Sequence, residues 1–530
     1  MPYLRPEPMS VTAPSEYDTV PYPSAIYPQT HPDRLATLAQ LFGMKPAPVE
    51  GARVLELGCG DGSNLIAMAA TLPAGRFHGV DLASAPVAKG KRTIEALGFS
   101  NVCLQQINLL EMPGDLGRFD YIHAHGLYSW VPAEVREKIL AICRDHLDEN
   151  GVAYISYNAY PGNHLRDLAR RMMRYHMPTS AGAGEQVRQA RTLLKFLAEA
   201  KSKSGHWQDV LKHQFERAQH YLDAGFYHDD LSAINQPFYF HEFNEAANRH
   251  GLQFLAEADF TDMQIAGLTE DARSVLSKME RCNLVAREQY QDFIEGRSFR
   301  QTLLCRQERK LERELKPERA FNLLAAADTR PSRPDADLTD RAMEDFQRAK
   351  AVIATSHPVL KSALALLGKV WPRRVPFGEL LKTARARAGT PLAGEEADRR
   401  DLGEFLIRCY GVGFVDLHSH PSVFVTEISE HPMTSPLIRW QIQHGPSISS
   451  LRHLPLKIED ALGRELLRLL DGTRDRAALL EELGQQVTSG AVPIYRDGKP
   501  LTEPKEMLEV LASQLDPCLA NLATLGVLTG

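Results

Sequence analysis

The stretch VLELGCGDGSNLIAMA, Val54 to Ala69, passes from an apolar strand through a glycine turn into a helix. Arg53 to Leu57 reads as the strand, Gly58, Gly60 and Gly62 as a GxGxG turn, and Ser63 to Ala70 as the helix. Glycine is needed in such a turn because the backbone takes φ values closed to other residues and a ligand must come close to the main chain. A glycine-rich turn alone is a weak signal. Asp81 strengthens it, ending a second strand (Arg76 to Val80) about twenty residues on, where an acid can accept hydrogen bonds from ribose hydroxyls.

Outward from that stretch, strands alternate with helix-length segments. Pro86 to Leu97 reads as a helix, and Val102 to Ile107, Phe119 to His123 and Gly151 to Tyr157 as strands. This alternation predicts an α/β fold, a parallel sheet with helices on both faces. After Pro161-Gly162 the pattern is helical through about Ala224. A helix over Tyr239 to His250 and strands over Leu252 to Phe260 and Ser298 to Arg306 then return to the sheet, so residues 180–235 read as a helical insertion. The run RQERKLERELKPER, Arg306 to Arg319, reads as a solvated helix face with local ion pairs. The Pro/Asp/Ser-rich stretch after it reads as an exposed linker, where a cut should expose little core.

The expected organisation is an N-terminal segment and helix over 1–45, serving as a lid or in dimerisation, and a ligand-binding Rossmann-like core over 46–180. A middle domain over 181–325, a linker over 326–340 and a helix-rich domain over 341–530 complete it. That last domain should hold a short strand pair, Gly413 to Leu417 with Val423 to Glu427. The Asp471-Gly-Thr turn before a helix from Arg476 to Leu483 suggests a winged-helix-like module within it.

Length and charge narrow the function. A chain of 530 residues exceeds one hydrophobic core, so roughly two to four domains are expected. With 61 Lys and Arg against 67 Asp and Glu, no global positive charge exists to hold a phosphate backbone, and a nucleic-acid partner is not expected. The 7 cysteines are scattered without a CxxC pair, which argues against a zinc ribbon or a disulfide framework. The Pro-rich start lacks the apolar core of a signal peptide, and no apolar run approaches the ~20 residues of a membrane span. A soluble, cytoplasmic, bacterial-type protein without membrane insertion is the expectation.

The glycine turn suits a dinucleotide or S-adenosylmethionine. A dinucleotide fingerprint would place a third glycine where Ser63 stands, and Glu56 is awkward beside a pyrophosphate. Glu56 suits instead a ligand bearing an ammonium and a sulfonium. Together, Glu56-Leu-Gly-Cys-Gly-Asp-Gly62 and Val80-Asp-Leu82 resemble motifs I and II of the class I methyltransferases. The cofactor implied is S-adenosyl-L-methionine. Its candidate binding residues are Glu56, Gly58, Cys59, Gly60, Asn64, Asp81 and Leu82, with Asn108 and Leu109 where these enzymes bracket the adenine.

Ligands of open α/β sheets lie at the carboxyl ends of the strands, which brings in the end of the fourth strand, Phe119 to Gly126. His123, His125, Tyr128 and Trp130 follow from that. His123 sits within the strand and reads as packing; His125 is the better candidate.

Longer runs carry a closer resemblance. SEYDTVPYPSAIYPQTHPDRLATLAQLFGM (Ser15 to Met44), LELGCGDGSNLIAMA, HAHGLYSWVP and YISYNAYPGNH look like the bacterial methyltransferases with a methyltransferase regulatory domain. INQPFYFHEFNEAANRHGLQFLAEADF and FIEGRSFRQTLLCR look like that regulatory segment. HPVLKSALALLGKVWPRRVPFGELL and LRHLPLKIEDALGRELLRLLDGTRDRAALL are similar to the family's C-terminal domain. The members with the best-defined activity are the rickettsial-type protein-lysine methyltransferases, which modify an outer-membrane surface protein. The resemblance implies a protein substrate, here a surface or outer-membrane protein before export, a wide central cavity and a homodimer.

On that basis the expected reaction is attack of a neutral lysine amine on the sulfonium methyl. Free lysine has a pKa of ~10.4, so the site must favour deprotonation or pass the proton to water. The catalytic candidates are His125, with Tyr128, Trp130, Tyr157 and Asn158 as a wall that orients the amine. A small-molecule methyltransferase and a non-catalytic S-adenosylmethionine sensor are the alternatives on the same core. His418-Ser-His420 with His431 lacks a further ligand at suitable spacing, and no metal is expected. His228-Asp229-Asp230 reads first as helix capping and second as cavity lining.

Overall fold

The computed structural model describes residues 16–177, 181–201, 204–390, 394–496 and 499–530. Most of the N-terminal stretch read for a leader, and the boundary expected at residue 180, lie outside the described residues.

After a single turn, α1 (Glu16–Thr19), and a helix, α2 (Pro32–Leu41), the sheet begins. It is built from β1 (Arg53–Leu57), α3 (Ser63–Thr71), β2 (Arg76–Asp81), α4 (Ser84–Leu97), β3 (Val102–Gln106), β4 (Phe119–Ala124), α5 (Ala133–His146) and β5 (Leu147–Asn158). Three helices then leave it: α6 (Asn163–His176), α7 (Ala183–Glu199) and α8 (Gly205–His220). They bury Met173, Val187, Leu194 and Phe226 in a small core of their own. A short α9 (Asp223–Phe226) continues into a π turn at Tyr227–Leu231. The chain returns through α10 (Phe240–Arg249), β6 (Leu252–Glu257), α11 (Glu270–Cys282), α12 (Leu284–Glu295) and β7 (Phe299–Arg306).

The seven strands lie in the order β3-β2-β1-β4-β5-β7-β6. Strands β1 to β5 pair in parallel, and β7 runs antiparallel to both neighbours. This is the Rossmann-like methyltransferase sheet. Its last two strands come from beyond the insertion, so the sheet spans both the expected core and the expected middle domain. β4 is buried along its whole length, as a central parallel strand covered on both faces must be. Leu38, Leu65, Met68 and Val87 pack on one face; Ile139, Leu140, Phe243 and Ala247 pack on the other. Each such side chain gains about 1.5–3 kcal/mol from leaving water.

α12 inverts the usual pattern. Arg287, Glu288, Gln291 and Asp292 face inward, while Tyr290, Phe293 and Ile294 are exposed. The inward face encloses Arg300, whose guanidinium meets Asp292 at 2.8 Å, Glu257 at 2.6 Å and Glu288 at 3.1 Å and lies 4.0 Å from the Phe240 ring centroid. A buried guanidinium needs this many partners to be tolerated.

Three expectations are corrected past β7. Residues 306–319 form no α-helix: after β7 come turns and extended chain, then a 3-10 turn, Pro317–Ala320. Arg313 donates to the carbonyl oxygens of Leu255 (2.6 Å) and Phe254, and Glu312 N donates to Phe42 O at 2.9 Å. These contacts to β6 and to the end of α2 outweigh the few tenths of a kcal/mol that helical ion pairs supply. Only part of 326–340 is exposed, including residues 332–335, 337, 339 and 340; the stretch begins buried and loops between paired strands, so it is not a linker between domains. β8 (Leu324–Ala326) is the middle strand of a small sheet, Ala327 is fully buried, and β9 (Arg330–Pro331) pairs with β10 (Glu344–Arg348), which pairs with β11 (Ala351–Thr355).

After α13 (Pro358–Val370), the two partners of β8 follow. They are β12 (Val375–Pro376) and, beyond α14 (Phe377–Ala388) and α15 (Glu395–Gly411), β13 (Asp416–His418). The third correction lies here: β13 pairs with β8, and residues 423–427 form no strand. The remaining chain holds α16 (Pro436–His444), a hairpin of β14 (Ser447–Ser449) and β15 (Pro455–Lys457), then α17 (Ala461–Leu469) and α18 (Arg476–Thr488). β16 (Tyr495–Arg496), β17 (Lys499–Pro500) and α19 (Pro504–Thr524) complete a winged-helix arrangement around its own apolar core. Among the described residues, no helix is long and apolar enough to cross a membrane.

Candidate active site

The turn after β1 needs its glycines for different reasons. Gly58, Gly60 and Gly62 have φ of +72°, +56° and +69°. A Cβ on Gly60 would meet no protein atom within 4 Å, so the space in front of it is open. Gly90 of α4 is the opposite case, since a Cβ there would fall 2.2 Å from the Asp61 carbonyl oxygen. Only glycine lets α4 approach the turn.

Asp81 closes the turn from β2. Its carboxylate accepts from Gly60 N and from Ala83 N, both at 2.8 Å, and burial raises its pKa. Glu56 lies deeper, 3% exposed. Asn64 Nδ2 donates to Glu56 Oε1 at 2.8 Å, while Glu56 Oε2 is buried without a partner. Burial, relieved in part by the Asn64 bond, pushes the Glu56 carboxyl up to about 8. A buried acceptor left unpaired beside an open glycine turn fits a cationic ligand group. Cys59 is buried in the turn, Leu82 O accepts from Gln106 Nε2 at 3.2 Å, and Asn108 Oδ1 caps a short turn that begins at buried Leu109. The nine candidate cofactor residues thus lie around the carboxyl ends of β1, β2 and β3, where the crevice in front of Gly60 is open.

Residues 16–31 cross this crevice. Asp18 accepts from Ala85 N at 2.8 Å, Ser24 bonds Asp61, and Tyr27 N donates to Asn64 Oδ1 at 3.1 Å. Lys89 joins the same carboxylate of Asp61 at 2.8 Å. The strap is held from the far side by the π turn. His228 Nε2 bonds Val20 O at 2.6 Å, the Tyr17 ring stacks on His228 at 4.2 Å, and Tyr22 Oη lies 3.3–3.4 Å from the Asp229 carboxylate oxygens. Burial and then Arg166 act in opposite senses on Asp229, and burial prevails, raising it to about 6. Asp230 is fully buried between Arg166 (3.0 Å) and Arg217 (2.5 Å). The capping reading of these aspartates is therefore wrong: Asp230 is an ion-pair anchor, and Asp229 is turned to the strap. Asp229 raises the pKa of Tyr17, Tyr22 and Tyr27 behind the larger effect of burial. Asp81 acts in the same sense on Tyr17, and Glu56 and Asp61 on Tyr27. Tyr17 and Tyr27 thus feel both Asp229 and carboxylates of the glycine turn, while Tyr22 bonds Asp229.

Of the catalytic candidates, His125 lies at this crevice. Its ring centroid is 3.7 Å from that of Tyr27, and its Nδ1 bonds Tyr154 Oη at 2.8 Å. Tyr154 Oη donates onward to Gln301 Oε1 at 3.1 Å, so His125 Nδ1 carries the proton and Nε2 is the bare nitrogen. Burial lowers His125 to about 4. His123 is fully buried with neither ring nitrogen bonded, as a packing residue.

The proposed wall does not assemble. Tyr157 is buried, stacked 4.2 Å from Phe243, with its hydroxyl 3.3 Å from Thr302 Oγ1. Tyr128 packs edge-on against the same Phe243 at 5.2 Å, in the core beneath α5 and α10. Both belong to the opposite face of the sheet: period-two alternation turns Tyr157 of β5 that way, and the turn after β4 packs Tyr128 beside it. Asn158 is buried too; its N donates to Ser129 Oγ at 2.9 Å and its Nδ2 to Asn235 Oδ1 at 3.0 Å, so it holds the chain returning from the insertion. Trp130 is half-buried in the short turn Tyr128–Trp130. The residues that sequence reasoning missed are Tyr17, Tyr22 and Tyr27. Their even spacing along the chain matches neither the 3.6-residue period of a helix face nor the two-residue period of a strand face. Only the Pro/Tyr richness of the segment signalled them.

His418-Ser-His420 serves a different purpose. Asp33 of α2, 4% exposed, accepts from Ser419 N (2.7 Å), His420 N (2.9 Å) and His418 Nδ1 (2.6 Å), with Arg374 at 3.3 Å. The knot docks β13 on α2.

The comparisons agree with this geometry. Residues 54–151 match the family described as "Methyltransferase domain", 219–306 "Predicted methyltransferase regulatory domain", and 430–527 "PKMT, C-terminal winged helix domain". A Rickettsia prowazekii (strain Madrid E) protein, RP789, is 30% identical over 525 residues, covering 96% of this chain and 92% of the relative. Another from the same organism, RP028, is 37% identical over 240 residues, 45% of this chain and 96% of its own length. The structure of PKMT2 from Rickettsia typhi in complex with AdoHcy is similar at a TM-score of 0.86 and 29% identity, covering 96% of this chain and 100% of that one.

Proposed function

We propose that this chain, which belongs to the class I S-adenosylmethionine-dependent methyltransferases with a methyltransferase regulatory domain, methylates lysine side chains of a protein. The observation that carries the reading is the Tyr22–Asp229 contact across the cofactor crevice. A carboxylate flanked by tyrosine rings suits a cationic amine, through Coulomb attraction and cation–π contact. The likeness to PKMT2 of Rickettsia typhi supports the same acceptor class.

S-adenosylmethionine, when bound, supplies a methyl group on a sulfonium. The chain's own residues do the rest. Glu56, oriented by Asn64, would hold the ammonium end and Asp81 the ribose, and the open face of Gly60 would admit the ligand to the backbone. Asp229 draws in the lysine ammonium, and the tyrosine rings of the strap orient it. Before attack the amine must lose a proton, which passes to water, since burial leaves His125 too weak a base to take it. With the lone pair freed in a fixed orientation, most of the acceleration comes from positioning, and no strong base is required.

The exposed Tyr290, Phe293 and Ile294 of α12 are a surface for the homodimer, and the acceptor is met in the cytoplasm. Incubation of the full chain with methyl-labelled S-adenosylmethionine and cell lysate tests the function. Protein-bound label, located on lysine by mass spectrometry, is expected. Label confined to small molecules would assign a small-molecule methyltransferase, and binding without turnover a sensor.

A further inference from the structure

Among the described residues, His453 of the C-terminal domain reaches the glycine-turn region. His453 sits in the loop between β14 and β15, 2% exposed, and its Nε2 lies 3.0 Å from Asn64 Oδ1. The loop is fastened on both sides: Ser450 N donates to Leu454 O at 2.9 Å, and Leu451 N to Gly526 O, just past α19, at 2.8 Å. His453 has φ +56°, a left-handed conformation that L residues with a Cβ avoid. Such a conformation persists only where the surroundings over-determine it, and it gathers at functional sites.

Asn64 is the meeting point. Its amide oxygen accepts from Tyr27 N at 3.1 Å and from His453, and its amide nitrogen donates to Thr30 Oγ1 at 3.0 Å and to Glu56 Oε1 at 2.8 Å. Two acceptor and two donor positions are thus filled, the full capacity of a carboxamide. With the amide oxygen facing it, His453 Nε2 carries the proton, and its buried, unbonded Nδ1 is the bare nitrogen. The strap, the C-terminal domain and the glycine turn therefore fix one amide, and that amide fixes one oxygen of Glu56. The other oxygen is left free.

We propose that His453 is a positioning residue for cofactor binding: it locks the Asn64 amide, which orients the free oxygen of Glu56 toward the ammonium of S-adenosylmethionine. The C-terminal domain, expected from sequence as a helix-rich, winged-helix-like part, thereby completes the cofactor site. This rests on the cofactor assignment and is independent of which acceptor is methylated.

Three full-length variants test it by calorimetric titration with S-adenosylmethionine. His453→Gly deletes the imidazole and relieves the left-handed backbone. His453→Asn tolerates that backbone but falls short of Asn64, and His453→Gln carries an amide nitrogen at the reach of Nε2. His453→Gly and His453→Asn should weaken binding by about tenfold while the thermal midpoint of the glycine variant stays at or above that of the parent. His453→Gln should recover most of the affinity. In an Asn64→Ala background, His453→Gly should have no further effect. Parental affinity in His453→Gly, equal weakness in all three variants, or an additive loss in the Asn64→Ala background would overturn the relay. Failure of the parent protein itself to bind would instead overturn the cofactor assignment.

Discussion

Asn64 Nδ2 donates to one oxygen of Glu56 at 2.8 Å and leaves the other buried and unpaired. The arrangement is unfavourable without ligand, since burial raises the carboxyl to about 8. A buried acid whose folded pKa lies above its unfolded value costs stability as pH rises from about 4 toward 8. Glu56→Gln removes that cost. The variant should be more stable than the parent by about 1–3 kcal/mol at pH 8 and show a smaller gain at pH 5. It should bind S-adenosylmethionine at least about tenfold more weakly. Thermal melts at the two pH values with a titration of ligand check both signs.

Gly60 and Gly90 separate binding from folding. At Gly60 a side chain meets no protein atom, so Gly60→Val should cost folding about 1–2 kcal/mol for the left-handed backbone. Its affinity should fall by at least about a hundredfold because the side chain fills the ligand's space. Asp81→Ala should weaken binding by about 1.5–3 kcal/mol through lost ribose bonds. Gly90→Ala, clashing with Asp61 O, should fail as a folding mutant. Calorimetry beside circular dichroism distinguishes the two classes; a Gly60→Val protein with parental affinity would contradict the cofactor site.

The sheet and the glycine turn were legible because each rests on a local pattern: apolar strands, a helix start and glycines within residues 54–81. The acceptor side was not. Tyr22 and Asp229 are 207 residues apart, and no period links them. Tyr157 was misplaced because a strand aromatic reads the same on either face of a sheet, and Tyr128 because nothing in the turn after β4 shows which way it folds. Charged runs misled for a related reason. Arg306 to Arg319 has the composition of a solvated helix, yet Arg313 spends its donors on backbone carbonyls of β6, a tertiary demand invisible in sequence.

If Asp229 receives the acceptor amine as proposed, its pKa, raised to about 6, gives acceptor binding a pH signature. Its carboxylate is charged above that value, so attraction for a lysine ammonium is complete at neutral pH and is lost as pH falls through about 6. The reactive amine fraction rises roughly tenfold per pH unit below the amine's own pKa. In the parent, kcat/KM for a protein acceptor should therefore fall more steeply below pH 6 than above it. Asp229→Asn should lower kcat/KM by about tenfold at pH 8, remove the extra steepness and leave S-adenosylmethionine affinity within about twofold. An unchanged profile would remove Asp229 from the acceptor site.

The docking of the C-terminal domain predicts what a truncation does. Burial pushes the Asp33 carboxyl up, but Arg374 and His418 outweigh it and hold it well below the usual carboxylate range. An acid depressed in this way contributes stability that is complete above its unfolded pKa, near ~4, and is lost as pH falls below it. Removing one partner of such a buried set costs about 3–5 kcal/mol, so Asp33→Ala should lower the melting point at pH 7, and its gap from the parent should begin to narrow only as pH falls below about 4, with most of it still present at pH 3. A fragment ending at Ala327 removes the His418, Ser419, His420 and Arg374 partners of the Asp33 carboxylate, strips both neighbours from β8 and deletes His453. The sequence read that cut as harmless; the structure makes it the most damaging of these changes. The fragment should be aggregation-prone or loosely folded and should bind S-adenosylmethionine at least about a hundredfold more weakly than the full chain. A well-folded fragment with full-length affinity, seen by dispersed amide spectra and calorimetry, would show that the N-terminal sheet holds its cofactor without the C-terminal domain.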